Sequence, residues 1–361
     1  MPQATHFIIT NRQITNIEGK EFVPVGNGEY INCTGRETAG DDLRFGEVSF
    51  DDTKKNNKLK EFKINIYPDL PYDEQRENTL EESLKSAKKL SSYKLFESLR
   101  VKQRSEKDEK NQILFFIHGY KNDLEAALGT MSELHNKYVK PENSPIKHIV
   151  MFTWPSRRNL LTYRDDARDA QLSGYALARS YMKLRDYFKI IIRDERKELC
   201  KAKINLLAHS MGNKVLESMI DHLERENKAF TNLFEEGILA GADIDYDSFT
   251  KPKPMYKLID LCSRIHIYYH REDKALMVSE TTKNAFNRLG IWGIKDTIEI
   301  PDDVYQSNVT YIEDEKKWFL DIFNGTDEKL IHHWYYVKSD TVVADIIEVL
   351  NGNISAFADE F

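Results

Sequence analysis

The sequence predicts an α/β fold: a mainly parallel, twisted sheet with helices on both faces and an antiparallel amino-terminal edge. Two observations carry this expectation. From Ile113 onward, short apolar runs alternate with longer helix-period segments, as right-handed strand-helix-strand crossovers require. Before that point, three apolar runs follow one another with only loops between them, which suits an antiparallel edge on the same sheet.

In chain order, the expected strands begin with the three early ones, His6 to Thr10, Phe45 to Phe50 and Phe62 to Tyr67. The alternating region supplies Ile113 to Ile117, Ile149 to Thr153, Ile204 to Ala208, Gly237 to Gly241, Ile265 to Tyr269 and Thr297 to Ile300. The lysine-rich stretches Lys54 to Lys60 and Lys102 to Lys110 are expected as solvated loops. After Ile204 to Ala208, residues Val215, Leu216, Met219, Ile220 and Leu223 recur at helical spacing. A last helix is expected from Ser339 to Leu350, with Ser or Asp as its cap and Gly352 beyond its end. At 361 residues, length alone permits one large domain or two smaller ones, with a separate amino-terminal domain as the alternative.

Composition narrows the function classes. A formal charge of -7 and a pI near 5.9 leave no dominant basic face for nucleic acid or an anionic membrane. Cys33, Cys200 and Cys262 show neither CxxC nor zinc-ribbon spacing, which points to a reducing, cytoplasmic setting. Neither an export signal nor a membrane span is expected, because the opening residues lack a leader pattern and the apolar runs are of strand length.

The segment I-N-L-L-A-H-S-M-G-N, Ile204 to Asn213, carries the chemistry. Ser210 stands between the small residues Ala208 and Gly212, which permit a sharp strand-to-helix turn that presents a hydroxyl at the carboxyl end of the sheet. A serine hydroxyl is a weak nucleophile, so a base and a group that orients the base must accompany it. Ile117 to Tyr120, I-H-G-Y, follows a strand and offers a glycine turn. The amides of Met211 and Tyr120 are therefore the candidate oxyanion donors. Among the ten histidines, His6, His135 and His148 fall in early elements. His222 lies roughly three turns down the helix after Ser210, and His266 is inside a strand. That leaves His270, His332 and His333 as candidate bases. Asp273 follows the strand Ile265 to Tyr269 by a short turn and completes a Ser, Asp, His order, with Asp243 as the alternative acid. The run Asp243 to Asp247 is no EF-hand, since Ser248 and Pro254 stand where glycine and glutamate are needed. No metal or organic cofactor is implied.

These motifs together resemble the α/β-hydrolase superfamily, and more closely a bacterial family of hydrolase-like proteins of unassigned function. The resemblance rests on T-N-R at Thr10 to Arg12, F-I-H-G-Y at Phe116 to Tyr120 and W-P-S at Trp154 to Ser156. It continues with H-S-M-G-N at His209 to Asn213, Y-Y-H-R-E-D-K-A-L at Tyr268 to Leu276, and N-R-L-G at Asn287 to Gly290. It implies a single domain over 1–361, with 1–110 contributing strands and a helix to the same sheet and 274–332 as a candidate cover over the site. The family's late H-x-Y-aromatic motif falls on His333 to Tyr336, which selects His333, with His332 as the alternative base. The implied triad is Ser210, Asp273 and His333.

The expected activity is that of a serine hydrolase working through an acyl-enzyme, a carboxylesterase or lipase-like enzyme acting on a small-molecule or lipid acyl ester. Trp154, His118 and Trp292 are candidates to line an acyl pocket, with ordinary packing as the alternative. An acyltransferase would use the same triad. A catalytically silent binding protein would keep only the fold.

Overall fold

The computed structural model describes residues 3–40, 42–68, 86–104, 110–157, 163–194, 203–228, 230–283, 287–295, 300–312 and 332–358. Its strands are β1 (Gln3–Thr10), β2 (Ile14–Thr15), β3 (Phe22–Gly26), β4 (Glu29–Asn32), β5 (Arg44–Asp51), β6 (Phe62–Ile66), β7 (Gln112–Ile117), β8 (Ile146–Thr153), β9 (Ile204–His209), β10 (Phe234–Ala240), β11 (Cys262–Tyr269) and β12 (Val304–Asn308). The helices that frame them are α1 (Ser91–Arg104), α2 (Leu124–Leu134), α3 (Tyr163–Lys189), α4 (Gly212–Arg225), α5 (Lys274–Lys283), α6 (Leu289–Trp292), α7 (Tyr335–Lys338) and α8 (Asp340–Leu350).

Nine strands form one sheet in the order β12-β11-β10-β9-β7-β8-β1-β5-β6. Pairing is parallel from β12 through β1 and antiparallel from β1 to β5 and β5 to β6. The α/β class and the antiparallel amino-terminal edge therefore hold, with β1 itself still parallel to β8.

Alternate side chains of each central strand feed two separate cores. From β7, Ile113 and Ile117 join α1, α3 and α4 on one face, while Leu114 and Phe116 join α2, α7 and α8 on the other. Because both faces are covered, these strands read as nearly continuous apolar runs. Full burial of a Phe or Ile side chain such as Phe116 or Ile117 contributes about 1.5–3 kcal/mol. Ser339 caps α8, its side chain accepting the Val342 N–H, and Gly352 beyond the end has φ +99°.

The structure also departs from expectation. A three-stranded sheet, β2-β4-β3, had no signal in the sequence because its strands are only two to five residues long. The edge strand β12, V-Y-Q-S-N, was likewise unread, being short and largely polar. The strand expected at Thr297 to Ile300 falls on residues outside those described, apart from Ile300, which is not in a strand. The charged stretch from Lys102 begins inside α1 rather than in a loop, and 105–109 lie outside the described residues. Among the described residues, no helix is long and apolar enough to cross a membrane.

The topology positions the site. After β7 the chain moves through α2, on one face, to β8. After β9 it moves through α4, on the other face, to β10. The loops leaving the neighbouring strands β7 and β9 thus diverge, opening a crevice at their carboxyl ends.

Candidate active site

At the end of β9 the backbone turns sharply at Ser210, which adopts φ +53°, a left-handed conformation that costs a non-glycine residue roughly 1–3 kcal/mol. The surroundings over-determine the turn. Ser210 N–H donates to Ala240 O at 3.0 Å, and its carbonyl accepts from the N–H groups of Asn213 at 3.0 Å and Asp243 at 3.2 Å. Asn213 Nδ2 adds bonds to Ala208 O and Ser210 O at 3.0 and 3.1 Å. Small residues are required here: a side chain on Gly212 would come within 2.5 Å of Ile117 O, and one on Gly119 within 2.7 Å of Ser210 Cβ. The strand-elbow-helix arrangement expected around Ser210 is thus present, and the loop after β7 lies directly against it.

His333 Nδ1 lies 2.6 Å from Asp273 Oδ2, both groups being buried. Asp273 also begins α5, its Oδ1 accepting the Leu276 N–H at 3.0 Å, so a helix amino terminus and an imidazole share one carboxylate. Three neighbours hold His333 and the residues after it in place. His209 Nε2 donates to His333 O at 2.9 Å. Tyr335 O–H donates to Tyr268 O at 2.8 Å while accepting the Gly241 N–H at 2.6 Å. Tyr138 O–H donates to Tyr336 O. A side chain on Gly241 would meet His333 Nδ1 at 3.2 Å, and Ala240, one residue earlier, is the acceptor for Ser210 N–H. The imidazole and the serine therefore share one strand end. Ser210 Oγ itself has no hydrogen bond among the described residues.

The other acid and the other histidines have partners of their own. His332 packs its ring against His270, centroids 4.4 Å apart. Asp243 accepts from Tyr163 O–H at 2.6 Å and Ser279 O–H at 2.9 Å, with Arg288 Nε at 3.5 Å. His222 packs on Tyr175 from α4.

His118 is fully buried behind the loop. Trp154 N–H donates to its Nε2 at 3.2 Å, so Nδ1 carries the proton and donates to Gly119 O at 2.9 Å. Burial, helped by the Arg12 charge, lowers its pKa to about 3 and keeps the ring neutral. Trp154 stacks on it at 5.4 Å and donates through its indole to His118 O. Both side chains, expected as pocket lining, are fully buried, and hydrogen bonding beneath the loop uses both rings. Trp292 is 43% exposed, donates to Glu280 and lies under Arg271. An apolar cavity of about 510 Å³ lies between the sheet and α1, α3 and α4, lined by Ile113, Leu206, Met219 and Tyr181, and none of Ser210, Asp273 and His333 borders it. Within 274–332, the described parts are α5, α6 and β12. The last is an edge strand of the sheet, and 313–331 lie outside the described residues.

Sequence reasoning gave no role to Arg12, Asn122 or His209. Arg12 and His209 stood within quoted motifs. Asn122, two residues past the H-G-Y turn and just before the Asp123 cap of α2, was not singled out. Among the described residues, no group of three or more His, Cys, Asp and Glu side chains could hold a metal ion.

Residues 96–350, well over half of the chain, match a family model described as an alpha/beta hydrolase of unknown function (DUF900). No curated protein matches the chain.

Proposed function

The chain belongs to this family of α/β hydrolases, and we propose that it is a serine hydrolase that cleaves carboxylic esters through an acyl-enzyme. The observation that carries the proposal is the 2.6 Å His333–Asp273 contact, seated on Gly241 beside the strained Ser210. In this reading Ser210 Oγ attacks the ester carbonyl as its proton passes to His333 Nε2, while Nδ1–H stays on Asp273 and fixes the tautomer. The developing oxyanion accepts from the amides of Met211 and Tyr120. Met211 is the N-cap of the 14-residue helix α4, whose dipole favours negative charge at that end. The protonated His333 then gives its proton to the leaving alcohol. Water, deprotonated by the same imidazole, releases the acid and restores Ser210.

Purified protein treated with a fluorophosphonate and read by intact mass is expected to carry a single adduct that is absent in Ser210→Ala. A panel of p-nitrophenyl esters of graded chain length then reports acyl preference. Folded wild type that takes no adduct, or a Ser210→Ala variant that keeps its esterase activity, would remove the assignment.

A further inference from the structure

We propose that Asn122 is a positioning residue that sets the oxyanion hole, an inference that rests on the serine-hydrolase reading. Asn122 is 2% exposed. Its Nδ2 donates to two successive carbonyls of the loop after β7, Gly119 O at 3.1 Å and Tyr120 O at 3.0 Å. Gly119 O also accepts from His118 Nδ1. In a trans peptide the carbonyl and the following N–H point in opposite directions. Turning Gly119 C=O toward Asn122 and His118 therefore turns the Tyr120 N–H to the other side of that peptide. The same loop lies against the nucleophile, since a side chain on Gly119 would strike Ser210 Cβ. Between the clamped carbonyls and Asn122, Lys121 sits at φ +64°, a conformation a lysine holds only when its neighbours impose it.

Asn122 is itself fixed from both sides. Arg12 Nη2 donates to Asn122 O at 2.9 Å, and Asn122 N–H reaches Ser156 Oγ at 3.4 Å. Arg12 Nε meanwhile donates to Thr153 Oγ1, which contacts His118 Nε2 at 3.1 Å. Arg12 and Ser156, from distant motifs, thus converge on one asparagine whose amide spans the turn.

The test uses p-nitrophenyl acetate and its thiono analogue, whose sulfur is a poor hydrogen-bond acceptor. Asn122→Asp keeps the side-chain shape and removes both donors, and Asn122→Ala serves if the aspartate variant does not fold, with circular-dichroism melting as the control. Misplacing a hole donor by a fraction of a bond length is expected to lower kcat on the oxygen ester about 10- to 100-fold. KM should stay within about twofold, and the loss on the thiono ester should be clearly smaller. A fluorophosphonate should still label Ser210, only more slowly. Unchanged kcat, or equal losses on both esters, overturns the role of Asn122. Wild type that is neither labelled nor active overturns the serine-hydrolase reading beneath it, a result distinguishable because it appears before any substitution is made.

Discussion

Two groups of three histidines are buried in this protein, and their fates differ. Around the elbow, each ring has its own partner. His118 is held between Gly119 O and the Trp154 N–H, His209 grips a backbone carbonyl, and His333 faces the Asp273 carboxylate. Along β1 and β8, His6 Nε2 and His135 Nδ1 bond each other at 2.9 Å, and His148 lies 6.4 Å from His6, ring to ring. Burial lowers the pKa of His6 well below its usual value, that of His135 to about 4 and that of His118 to about 3. Burial is thus common to both groups, and a proton-accepting role is decided by the partner. Of these six, His333 has the Asp273 carboxylate at 2.6 Å.

The comparison breaks most decisively at the proposed triad. Ser210→Ala and His333→Ala are expected to lower kcat by about 10⁵–10⁶-fold, as loss of a nucleophile or base does elsewhere, measured on whichever ester the panel identifies. Asp273→Asn should cost about 10⁴-fold by favouring the wrong tautomer. The same change at Asp243, whose oxygens serve Tyr163 and Ser279, should cost less than about tenfold by the tenfold-per-1.4 kcal/mol scale. Equal losses at the two acids would reverse their assignment. His332→Ala, removing a ring packed on His270, should leave kcat within about twofold.

The smallest effect sharpens the other half of the comparison. His6 and His135 bind protons less readily folded than unfolded, so the unfolded state takes up more protons as pH falls. Their contribution is fully present above about pH 6.5, the unfolded value, and is lost as pH drops toward about 4. His135→Gln is expected to flatten the decline of the melting temperature over that window without altering esterase rate at pH 7. An unchanged slope would place the acid sensitivity elsewhere.

The fold was legible where burial on two faces leaves a simple record. β7, β9 and β11 each announce themselves as apolar runs because both cores draw on them. β12 left no such record: it is a five-residue edge strand in which Gln306, Ser307 and Asn308 are polar. The elbow was readable because its requirements are local, Ala208, Ser210 and Gly212 lying within five residues. The candidate base was not local. His333 lies 60 residues from Asp273, and position among the elements could narrow the choice only to His270, His332 and His333, until a family motif pointed to one. The support of the loop after β7 was less legible still, since Arg12 reaches Asn122 across 110 residues and nothing in either neighbourhood announces the bond.

The bond from His209 to the His333 carbonyl ties that residue to the strand that leads into Ser210. With Tyr335 and Tyr138 anchoring the following residues, the location of the imidazole is set by its docking site. The strand ends and the imidazole therefore form one unit, so that a change at His209 or Tyr335 is felt at His333.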